Sequence, residues 1–170
     1  MKALTLTTIV VSFTACATIP QQEAVSECGG FENTQQQQAL TADGASGYCD
    51  AEVLSWEYSA GKLSINNTRV LLNCCGEHSI GIDEIDDGEY LVTEVDQPDG
   101  IGGRCGCMCV FDFELEANEL PERTIKLVLE RDVTDSENGI QTVWEGELDL
   151  SQGSGDIVVD ETDVEGWCEE

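Results

Sequence analysis

The sequence is short of positive charge and has a single histidine. Seven Lys and Arg stand against 35 Asp and Glu, for a formal net charge of −28. That scarcity excludes nucleic acid as a partner, because there is no basic patch to neutralise phosphates. It argues in the same way against a bare anionic lipid surface. His78 alone cannot build a histidine-rich metal site, and Ser79 beside it points the other way on a strand, so no triad forms around it. Cys-x-x-Cys is missing, and with it the usual spacing for thiol redox chemistry; Cys-x-Cys-x-Cys on a strand also departs from the turn in which zinc ligands usually sit. Helical periodicity is scarce, and no apolar run reaches the ~20 residues that a spanning helix needs.

What is present starts at the N-terminus. Lys2 is followed by an uncharged, mostly apolar run from Ala3 to Ala15, with the length and flanks of an export signal. The run ends in Phe13-Thr14-Ala15-Cys16. This resembles the lipobox of bacterial lipoproteins, in which small residues precede a cysteine that is acylated and becomes the mature N-terminus. Phe13 stands where such boxes usually carry Leu. The resemblance implies a multiply acylated, palmitate-bearing Cys16 as a membrane anchor, since one acyl chain holds only weakly. Ala17 after the cysteine points to the outer membrane of the bacterial cell envelope.

The chain has nine cysteines. Setting Cys16 aside for lipid leaves an even set: Cys28, Cys49, Cys74, Cys75, Cys105, Cys107, Cys109 and Cys168. In an exported chain this reads as a disulfide framework, with the pairing left open. On a strand, Cys105, Cys107 and Cys109 share one face at steps of ~6.8 Å. Cys74 and Cys75 then face opposite sides, and only one of them meets that face. The expectation is at least one disulfide between the two strands, with the other cysteines tying down the termini. The alternative is a thiolate site for copper or zinc drawn from Cys74, Cys75, Cys105, Cys107 and Cys109.

Residues 16–47, after a signal at 1–15, are polar and include the run Gln35–Gln38. They read as a flexible linker lifting the domain off the membrane, with Cys28 pinning part of it. From 48 to 170 the texture is short alternating runs between turns: 52–59, 62–65, 68–75, 78–85, 89–95, 105–116, 124–133 and 140–150. Asn66-Asn67 reads as a turn, and Asn138-Gly139 as a tight one. Regular short strands of this kind predict an all-β fold, an antiparallel β-sandwich, immunoglobulin-like or similar, of about eight strands. The core falls to Leu54, Trp56, Leu63, Ile65, Val70, Leu72, Ile80, Ile82, Leu91, Val110, Leu127, Leu129, Val143 and Leu148. The acidic segment 151–167 is the weakest part of this pattern.

"LLNCCGEHSI" followed by "GRCGCMCVFDFELEANELP" resembles a group of small exported bacterial lipoproteins. In these an Asn-Cys-Cys strand is followed by a Cys-x-Cys-x-Cys-x-Phe/Tyr-Asp strand. The matching positions are Asn73, Cys74, Cys75, Cys105, Cys107, Cys109, Phe111 and Asp112, within residues 63–130. The resemblance implies a β-rich exported domain and no particular activity.

Two acidic stretches invite calcium. Asp83, Asp87, Gly88 and Glu94 match parts of a calcium loop, but Ile85 occupies a ligand position and the flanks are strands, so a β-turn is the better account. Asp156–Asp163 would collect divalent cations only loosely. Asp112, if it faces inward, needs Arg104, Arg123 or Arg131 beside it. These features together predict a membrane-anchored lipoprotein of the cell envelope, a structural or binding module without a cofactor and not an enzyme. Its partners are the membrane, through lipid on Cys16, another envelope protein, and divalent cations.

Overall fold

The computed structural model describes residues 19–31, 51–100 and 103–162. The signal segment, Cys16, most of the linker, Cys49, Trp167 and Cys168 lie outside the described residues. The described chain forms nine strands: β1 Gln21–Val25, β2 Glu52–Ser59, β3 Lys62–Asn73, β4 Glu77–Asp86, β5 Glu89–Gln97, β6 Met108–Ala117, β7 Thr124–Val133, β8 Ile140–Asp149 and β9 Ser154–Asp160. One sheet has the order β1-β6-β3-β2-β9, and the facing sheet β4-β5-β7-β8.

The expected β-sandwich is present. Alternation sends Leu54, Trp56 and Tyr58 of β2 inward, with Phe111, Phe113 and Leu115 of β6 and Ile125, Leu127 and Leu129 of β7. Leu91 is the exception among the expected core residues. On β5 the inward parity belongs to Tyr90 and Val92, so Leu91 is turned outward and is only half-buried. Val110 is buried on the outer side of its sheet, and Val143 packs at the edge of the core.

Three features depart from the sequence reading. First, the pairing is not wholly antiparallel: β5 and β7 run parallel. The chain leaves β5, crosses to the other sheet as β6 and returns as β7 beside β5. A strand thus serves as the crossover that a parallel pair requires. Second, Asn66-Asn67 is not a turn. β3 runs through it, and its register against β6 shifts between Asn67 and Val70. Arg69 takes a φ of 65° in this bulge. The bulge switches the inward parity from Leu63, Ile65 and Asn67 to Val70 and Leu72, so both halves of the strand serve one core.

Third, residues 21–25 belong to the sandwich rather than to a linker. β1 pairs with β6 from Gln21↔Ala117 to Val25↔Phe113. The segment behind it covers Asp112. That residue faces the outer side of the sheet, and its carboxylate accepts from the backbone N–H groups of Arg69 (3.0 Å) and Phe31 (2.9 Å). Backbone donors, not an arginine, satisfy it. A Cβ at Gly30 would lie 2.6 Å from Asp112 Oδ2, so the covering turn needs glycine there. Residues 154–160, read as a weak acidic tail, form the edge strand β9 beside β2.

Candidate functional site at the disulfide-rimmed end

One end of the sandwich interior is charged. The inward parity of β5 continues from Tyr90 and Val92 to Glu94 and Asp96, which are 0% and 2% exposed. On β2 it runs back to Glu52, and on β7 it runs on to Arg131. Asn67, 0% exposed, sits among them. Its Nδ2 donates to Glu52 Oε1 (2.9 Å) and Glu94 Oε1 (2.6 Å). Arg131 Nη2 donates to Glu52 Oε1 and Glu94 Oε2, both at 2.7 Å. Burial pushes the Glu94 carboxyl above the usual carboxylate range. Burial also works against the Arg131 charge, but the two carboxylates more than offset it and hold its proton firmly.

Beyond this cluster Asp96 ion-pairs with Arg104, whose Nη2 also donates to the Asp96 carbonyl at 3.0 Å. Arg104 reaches Asp135 as well, Nη2 to Oδ1 at 2.5 Å and Nε to both oxygens at 3.1 Å. The Asp135 hydrogen bonds, with those of Asp96, strengthen the hold of Arg104 on its proton, and Arg104 holds Asp135 below the ordinary carboxylate range. His78 lies under this pair with its side chain 8% exposed. Its Nε2 is 3.3 Å from Asp96 Oδ1 but out of hydrogen-bond alignment, and its ring packs on Phe111 at 4.3 Å. A cleft of about 300 Å³ opens beside these groups, lined by Leu72, Asp96, Arg104, Met108, Val133 and Asp135 among others.

The cysteines rim this end. Cys74 bonds Cys107, Cys75 bonds Cys105, and Cys28 bonds Cys109, with Cα separations of 5.4 to 5.7 Å. The expected link between the two cysteine-bearing segments is therefore present twice. The expectation that only one of Cys74 and Cys75 would meet the other segment fails. β3 ends at Asn73 and β6 begins at Met108, so Cys74, Cys75, Cys105 and Cys107 lie in bends where strand alternation does not apply. Cys109 alone is on the strand, and it turns to Cys28. This removes Cys109 from the five-cysteine metal set and brings the other four together.

Asn73 organises the bends. Its Nδ2 donates to the carbonyls of Cys105 (2.8 Å) and Cys107 (3.1 Å). Its Oδ1 accepts from the N–H groups of Cys75 (3.0 Å) and Cys105 (3.1 Å). Gly76 follows with a φ of 142°, and a Cβ there would lie 2.5 Å from the Gln97 carbonyl and 3.2 Å from Arg104 and Asp96. The bend that carries Cys74 and Cys75 thus sits against the half-buried Asp96–Arg104 pair.

The calcium-loop positions are not brought together. Asp87 and Gly88 form the β4–β5 turn, with Asp87 paired to Arg123 at 2.5 Å, while Glu94 is inside the sandwich. No protein-family model matches the chain, and neither a curated protein nor a solved structure matches it.

Proposed function

We propose that the protein is a lipid-anchored binding or structural module of the bacterial cell envelope, held at the outer membrane through Cys16, and not an enzyme. The observation that carries this reading is the cysteine usage. All six described cysteines are in disulfides, as suits a chain that folds in an oxidising, extracytoplasmic compartment. Cys16 stands apart at the end of an apolar leader. The ionisable groups at the cleft support a binding role over catalysis: the Arg104 guanidinium is occupied by Asp96 and Asp135, and His78 is packed under them. The acidic surface suits an envelope partner with a basic face, or divalent cations, over nucleic acid.

The test is metabolic labelling with a palmitate analogue, followed by membrane fractionation, of the full chain and of Cys16→Ser. The wild-type chain is expected in the outer-membrane fraction with label. Cys16→Ser is expected unlabelled and missing from the outer-membrane fraction. A wild-type chain that takes up no label, or a serine variant that still takes up label and reaches the outer membrane, overturns the anchor.

A further inference from the structure

The two disulfides on the Asn73 bends are redundant as staples. β3 and β6 are already paired to Asn73↔Met108 beside them. Cys75–Cys105 spans 30 residues; once it is closed, Cys74 and Cys107 are each within two residues of it. Loop-closure entropy grows with the logarithm of loop length, so the second link restrains the unfolded chain much less than the first. Together, however, they concentrate sulfur. The Sγ atoms of Cys74, Cys75 and Cys105 lie within 4.8 Å of one another, and that of Cys107 is bonded to Cys74. Cys105 and Cys107 are exposed, and Cys74 and Cys75 are half-buried.

The sulfur bonds are not the only contacts that set this placement. Four hydrogen bonds to the Asn73 side chain hold both bends, and Cys74 N–H donates to the Cys107 carbonyl at 3.3 Å. Gly76 fixes the first bend on the Asp96–Arg104 pair. These contacts would hold four thiols facing one another once the two disulfides are opened.

We propose that Cys74, Cys75, Cys105 and Cys107 form a redox-gated site for a single thiophilic d10 cation, with zinc(II) as the best fit. Four sulfurs are the complete donor set for a tetrahedral zinc ion. An external dithiol delivers two electrons and two protons to each disulfide and becomes a disulfide itself. The four thiols then release protons as they ligate. In the oxidised chain the same sulfurs are bonded in pairs and the site is closed. Cys28 and Cys109 take no part. The membrane anchor is not a premise of this site, so either proposal can fail without the other.

The experiment uses the full chain, reduced anaerobically with a dithiol, freed of reductant and given zinc(II). Zinc is counted by elemental analysis, and alkylation of each cysteine is mapped by mass spectrometry with and without the metal. We expect a single retained zinc that shields Cys74, Cys75, Cys105 and Cys107 and leaves Cys28 and Cys109 open. Cobalt(II) in its place should give an intense thiolate charge-transfer band. Cys75→Ser with Cys105→Ser should lose the zinc while keeping the β circular-dichroism signal. Shielding of a different cysteine set, no retained zinc, or collapse of the β signal on reduction each overturns the proposal.

Discussion

At the scale of single residues, the telling group is Arg131, clasped between Glu52 and Glu94 with Asn67 bridging the two carboxylates. Removing one partner of a buried ion pair strands the other charge in a low-dielectric interior, which costs roughly 3–5 kcal/mol. Arg131→Ala should lose stability on that scale in urea titrations. Glu94 adds a pH signature. Its folded-state pKa lies above the ordinary 4.5, so between those values the folded chain keeps a proton that the unfolded chain has lost. Stability from this group is present at the acid end of that window and falls as pH rises through it. Glu94→Gln removes the effect. Melting curves taken from neutral pH down toward 4.5 should therefore show the wild type gaining on Glu94→Gln as pH falls. Asp87 and Asp135, held low by Arg123 and Arg104, work in the opposite sense: their contribution is present above 3.8 and is lost on further acidification.

At the scale of elements, the strands whose apolar residues alternate could be read from sequence nearly to the residue. β2 at 52–59 and β7 at 124–133 are examples, because every second side chain meets the core. The elements that escaped carry no such signal. β1 reads Gln-Gln-Glu-Ala-Val and is almost wholly exposed, since its contribution is backbone pairing with β6 and polar side chains. Asn67 looks like a turn residue because amides are common in turns, yet it is buried against two carboxylates beside a bulge that local sequence does not announce. Four of the candidate-site cysteines were legible as a group; their pairing was not, because they sit in bends outside the strand period. The charged cluster was also missed: continuing the inward parity of β7 past Leu129 reaches Arg131, but on β5 the parity expected through Leu91 points away from Glu94.

β1 makes a further prediction. Gln21 Oε1 accepts from the Ile82 N–H (2.9 Å), and Glu23 Oε2 accepts from the Ile80 N–H (3.3 Å). These side chains cover part of the β4 edge, which an incoming strand would otherwise pair with. Gln21→Ala with Glu23→Ala should cost about 1–2 kcal/mol for the unpaired donors. It should also promote self-association, visible as a faster component in sedimentation velocity.

At the scale of the whole molecule, Cys28–Cys109 ties the N-terminal segment to the core strand β6 across 81 residues. By the chain-entropy estimate a loop of that size restrains the unfolded state by about 4 kcal/mol. Cys28→Ser with Cys109→Ser should lower the denaturation midpoint by a corresponding amount, and a more expanded unfolded chain should steepen its denaturant dependence. Lesser losses are expected from Cys74→Ser with Cys107→Ser, whose bond sits beside another.

The three cross-links among the described residues close like nested brackets: 75 to 105 innermost, then 74 to 107, then 28 to 109. A chain emerging amino end first presents Cys28 long before its partner, with Cys49, Cys74 and Cys75 arriving first in between. Oxidation on emergence would join the wrong neighbours. In an extracytoplasmic compartment correct pairing therefore waits until β6 has emerged, or else calls on an isomerase to undo early mistakes.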